Sequence, residues 1–89
     1  MKGIVTVLGK DSVGIIAEIC SYMSGKNVNV LDIAQTIVNG YFNMMMVVDL
    51  SGSASPLASM ASELEALGRD IGVVVRLQHE DIFNAMHRI

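Results

Sequence analysis

The residue pattern predicts an α+β fold of order βαββαβ, with a four-stranded antiparallel sheet, two helices on one face and a short C-terminal helix. Three observations predict it. An alternating run, Lys2 to Leu8, passes through Gly9 and Gly14 into helical spacing. Asn39-Gly40 lies between two long strand-like runs, and both residues tolerate the positive φ angles of a two-residue hairpin turn. A second helical stripe from Leu57 is followed by the β-branched run Ile71 to His79.

The first strand alternates Ile4, Thr6 and Leu8 against Gly3, Val5 and Val7. From Val13, the positions Ile16, Ile19, Cys20 and Met23 follow helical spacing, with Gly25 placed to end the helix and Lys26 beside it. Asp11 or Ser12 is the expected cap for its first free N–H groups. Asn27 to Asn39 forms the second strand. If Asn39-Gly40 is the turn, Val38 faces Tyr41, Ile37 faces Phe42, Gln35 faces Met44, Ile33 faces Met46 and Leu31 faces Val48. The nearly all-apolar set is expected to pack on the helices. The opposite face, with Asp32, Ala34, Thr36, Val38, Tyr41, Asn43, Met45 and Val47, is expected to meet solvent or a partner.

After the loop Ser51 to Ser55, Ser55 reads as the N-cap and Pro56 as the first turn of the second helix, whose stripe is Leu57, Met60, Ala61, Leu64 and Leu67. Gly68 reads as its stop. The fourth strand turns Val73, Val75 and Leu77 inward. Glu80 to Ile89 forms the last helix, acids first and His87-Arg88 last, with Ile82, Phe83, Met86 and Ile89 on one side. The layout is a ferredoxin-like sandwich, and the expected organisation is one domain over residues 1–89 without repeats or linkers.

Of the 89 residues, 52% are hydrophobic and only 17% charged, which leaves little polar side chain to cover the outside and implies a homodimer. A net charge of -3 and four scattered aromatics argue against a nucleic-acid surface. Stacking aromatics and basic residues would be needed on the central strands, where the reading places Val5, Val7, Asn43 and Met45. No apolar run approaches the roughly 20 residues needed to span a bilayer, and Met1-Lys2-Gly3 leads into a strand without a cleavable signal pattern, so a cytoplasmic location is expected. The lone Cys20 reads as core.

Catalytic and metal chemistries lack their residues. Gly9-x4-Gly14 is followed by Ile15-Ile16 where a phosphate-binding loop needs Lys and then Ser or Thr. Met44, Met45 and Met46 alternate across a strand and cannot converge on one soft metal ion. His79 and His87 sit on different elements, which does not make a zinc site. The first loop holds neither the Cys pair of a metallochaperone nor the Arg of an acylphosphatase-like enzyme. The expectation is therefore a non-enzyme without metal or cofactor.

The stretch Gly9-Lys10-Asp11-Ser12-Val13-Gly14-Ile15 resembles the opening loop of an ACT domain, a small regulatory module that binds amino acids. Nearly the whole chain is similar to small stand-alone ACT proteins, which share Asp32-Ile33-Ala34-Gln35-Thr36, Met44-Met45-Met46 and the ending from His79. The resemblance implies an amino acid held at a homodimer interface and a regulated partner in amino-acid metabolism. Gly14, with the backbone at Ser12 and Val13, would receive the carboxylate. Asp11, where many members carry Asn, would hold the amino group and repel a second acid. Asn29, opening the second strand, would reach the ligand across the interface. The rival expectation is a dimeric protein-binding scaffold whose loop is purely structural.

Overall fold

The computed structural model describes residues 1–10 and 12–86. The order is β1 (Lys2–Lys10), α1 (Ile15–Gly25), β2 (Asn29–Val38), β3 (Tyr41–Asp49), α2 (Leu57–Ile71), β4 (Val73–His79) and α3 (Glu80–Met86). The strands form one antiparallel sheet in the order β2-β3-β1-β4, which leaves β2 and β4 as its edges.

Alternation decides which residues enter the core. Val5, Val7, Met44, Met46, Val48, Val75 and Leu77 face the helices and are buried with Ile19, Met23, Met60 and Leu64. Val5 and Val7 are therefore core, and Ile4, Thr6 and Leu8 lie on the opposite face of the sheet. Of these, Ile4 is nonetheless buried at 6% exposure, and α3, which packs on β1 and β4, is the element available to cover it.

The hairpin forms as expected, with Asn39 and Gly40 at φ 51° and 79°. Its pairs run from Val38↔Tyr41 to Ile33↔Met46. Beyond Asp32↔Val47 the register shifts, so that Val30, not Leu31, faces Val48. The helix-side face of β2 also departs from expectation: Ile33 and Ile37 stay exposed, because among the described residues no element packs over this part of the edge.

Local corrections follow from glycine geometry and capping. α1 begins at Ile15, its buried line is Ile15, Ile19 and Met23, and its N-cap is Gly14 with no side-chain cap among the described residues, so Ser12 does not cap it. α2 starts after Pro56, which takes the N-cap position expected for Ser55. Gly68 does not stop α2. A Cβ there would lie 2.7 Å from the Val73 carbonyl oxygen and 2.8 Å from Val75 Cγ2, so this glycine lets the helix press on β4, and Gly72 at φ 83° ends it. Ile82 is 55% exposed and does not dock as expected, while Phe83 is half-buried. Asp11, His87, Arg88 and Ile89 lie outside the described residues.

Candidate functional site

Between the end of β1 at Lys10 and the start of α1 at Ile15 the chain turns through Ser12, Val13 and Gly14. Gly14 has φ 93° and ψ -1°, a left-handed conformation that strains any residue with a Cβ. Its carbonyl accepts the Glu18 amide at 2.9 Å, which is the first intrahelical bond. The amides that follow it have no helical acceptor, and among the described residues no side chain caps them. Among the described residues nothing lies within 4 Å of where a Gly14 Cβ would stand. Gly9 is different. Its Cβ would fall 2.7 Å from Val73 Cγ1, so it serves the close approach of β1 and β4.

Ser12 and Gly14 line a groove of about 260 Å³ that runs from the start of α1 to β2. Ile16 and Ala17 form its helix side, and Gln35, Ile37 and Phe42 its sheet side. The groove combines free backbone donors at one end with an apolar wall at the other, and it borders the uncovered edge strand. A carboxylate suits the donors, which carry the partial positive charge of a helix start. Gln35 and Ile37 were not singled out by the sequence; the signal available was a lone amide between Ile33 and Ile37 on an otherwise apolar face.

The other expected residues distribute unevenly. The Val13 side chain is fully exposed. Asn29 begins β2 at the end remote from the loop, where it borders a separate hollow with Cys20, Met23 and Asn27. Within one protomer, therefore, Asn29 and Gly14 do not share a site. Among the described residues no group of three or more His, Cys, Asp or Glu could hold a metal. His79 Nδ1 instead accepts the Asp81 amide at 3.1 Å at the start of α3. No described helix is long and apolar enough to cross a membrane.

The shifted titrations belong to structure away from the groove. The Tyr22 hydroxyl donates to Glu63 at 2.5 Å, and Lys26 Nζ stands 3.3 Å from the same carboxylate, which ties α1 to α2. Burial first, and then the Glu63 carboxylate, pushes the Tyr22 phenol up; the Tyr22 hydrogen bond and then Lys26 hold Glu63 below the usual carboxylate range. Ser51 donates from both its hydroxyl and its amide to Asp49 and lowers that carboxyl likewise.

An ACT domain profile matches residues 3–78. The chain belongs to the ACT domain family. This ACT domain is 58% identical over 88 residues to a UPF0237 protein of Bifidobacterium longum, covering 99% of this chain and 98% of the relative. It superposes on an ACT domain protein from Streptococcus pneumoniae with a TM-score of 0.83 at 38% identity, each chain covered to 98%. Likeness to a formyltetrahydrofolate deformylase from Pseudomonas putida is one of fold alone, with TM-score 0.79 at 13% identity over 91% of this chain and 29% of that one. The fold thus occurs both as nearly an entire chain and as one segment of a longer enzyme.

Proposed function

We propose that this ACT domain is a regulatory sensor, not itself an enzyme, that acts in the cytoplasm, binds an amino acid at a homodimer interface and passes its occupancy to a protein of amino-acid metabolism. The observation that carries the reading is the groove at the Gly14 turn, open toward the exposed edge strand β2. In this reading the backbone at Ser12, Val13 and Gly14 takes the carboxylate, and Asp11 takes the amine. Ile16, Ile37 and Phe42 face the ligand side chain, which selects an apolar amino acid over a charged one.

Antiparallel pairing of two β2 strands about a two-fold axis near Ile33 and Ala34 sets the partner's Asn29 opposite Val38, at the end of the strand next to the loop. One protomer then supplies the turn and the other the asparagine. The exposed sheet face with Leu8, Met45 and Val74 supports the rival reading, a dimeric scaffold that binds protein and no metabolite.

Thermal-shift measurements on the full chain against the twenty amino acids test the sensor. A ligand at 100 times its Kd stabilises the folded state by about 2.7 kcal/mol, which moves the melting temperature by several degrees. An apolar amino acid is the expected hit, and Gly14→Ala is expected to abolish its calorimetric binding. A screen in which no amino acid shifts the melt overturns the sensor and leaves the scaffold.

A further inference from the structure

We propose that the free edge of β4, with the last turns of α2 beside it, docks an extended acidic segment of another protein. Among the described residues β4 pairs with β1 alone, so the other side of 73–77 offers backbone donors and acceptors that no described strand takes up. Addition of a strand to such an edge is a recurrent mode of peptide recognition, in which backbone bonds give affinity and flanking side chains give selectivity.

The flanking side chains here are specific. A groove of about 260 Å³ follows this edge, walled by Glu65 and Arg69 of α2 and by Val74 and Arg76 of β4. Arg69 stands on the helix side of the sheet. Arg76 alternates with the buried Val75 and Leu77 and therefore stands on the opposite side. An incoming strand alternates as well, so two acids an odd number of residues apart meet one guanidinium each. Among the described residues neither Arg69 nor Arg76 forms an ion pair. In a chain of net charge -3 with only six Lys and Arg, the charged lining of this groove is two arginines against one carboxylate, Glu65, a net positive.

The same charges argue against a second copy as the occupant through its own β4. Two such edges related by a two-fold axis would bring arginines toward arginines, at a cost in repulsion. β2 carries no Lys or Arg between Asn29 and Val38, so the two edges of the sheet are chemically distinct.

The test is NMR titration of the isotope-labelled full chain with the peptide acetyl-TVEEVT-amide, beside acetyl-TVKKVT-amide. The acidic peptide is expected to shift the amides of 73–76 and of Arg69, saturably and less at higher salt, and the basic peptide to leave them unmoved. Arg69→Gln and Arg76→Gln are each expected to weaken binding about tenfold without lowering the melting temperature, as both residues are exposed. Three results overturn the proposal: no saturable shift at about 1 mM acidic peptide, equal binding of the basic one, or affinity unchanged in both variants. Growth of the free protein beyond a dimer, suppressed by Arg76→Gln, also overturns it by identifying β2 of another copy as the occupant.

Discussion

Ile33 and Ile37 on β2 decide whether the chain dimerises through this edge. Their exposures, 43% and 57%, together amount to about one isoleucine's whole surface left in water on each protomer. Covering one such side chain stabilises by about 1.5 to 3 kcal/mol, so the pair contributes about 3 to 6 kcal/mol to a symmetric dimer in which both protomers cover theirs. The double variant Ile33→Ser/Ile37→Ser removes most of that. Its dimer dissociation constant is expected to rise by about two to four decades. The monomer should suffer less, losing within about 1 kcal/mol of strand preference, because neither side chain enters the core. Sedimentation equilibrium over a concentration series separates the two effects, with chemical denaturation of the dilute monomer as control. A variant that stays dimeric at the parent's concentrations, or a parent that is monomeric throughout, would refute the assignment of this edge.

Two helical glycines should respond with opposite sign. Gly25→Ala meets open space and is expected to stabilise by about 0.4 to 1 kcal/mol, whereas Gly68→Ala meets the Val73 carbonyl oxygen at 2.7 Å and is expected to destabilise by about 1 to 3 kcal/mol, both read from denaturant midpoints. Glu63 and Asp49 have folded-state pKa values below their ordinary 4.5 and 3.8, so their contribution is fully present above those values and is lost as pH falls through the folded ones. Tyr22 is raised above its ordinary 10.0, so its contribution is present below pH 10 and is lost as pH rises beyond it. Glu63→Gln should flatten the acid limb of a stability profile, and an unchanged limb would assign it elsewhere. Removing the residues after His79 should uncover Ile4 and lower stability by about 1.5 to 3 kcal/mol; an unchanged melt would show that α3 does not cover it.

What was legible in the residues was what local chemistry determines. Asn39-Gly40 announced its turn because few residues accept two successive positive φ angles, and the hairpin register followed from it as far as Ile33↔Met46. The bulge was hidden because Val30, Leu31 and Ile33 are all apolar, so a slip by one residue leaves no mark on the pattern. The same ambiguity concealed which face of β1 is core, since Ile4 and Leu8 are as apolar as Val5 and Val7. Gly68 and Gly72 are four residues apart, and composition alone does not distinguish a glycine that ends a helix from one pressed against a strand. At the site, Ser12 and Gly14 were visible through the turn motif, whereas Gln35 and Ile37 enter the groove only through tertiary placement of β2.

The methionines of the core carry a consequence for chemistry in solution. Met23, Met44, Met46 and Met60 are almost wholly shielded, at 2% exposure or less, while Met45 at 43% and Met1 at 56% stand open. Peroxide converts a thioether to its sulfoxide only where it can reach the sulfur. Under mild peroxide Met1 and Met45 should oxidise before these four, and each shielded thioether only when its part of the molecule opens. Because one sulfoxide in the core destabilises the packing around it, the first slow addition should hasten the next. Peptide-resolved mass spectra would then show early oxidation at Met1 and Met45 followed by a cooperative collapse of the four shielded sites, whose onset time is a clock for opening of the native state and would lengthen with any ligand that holds it shut.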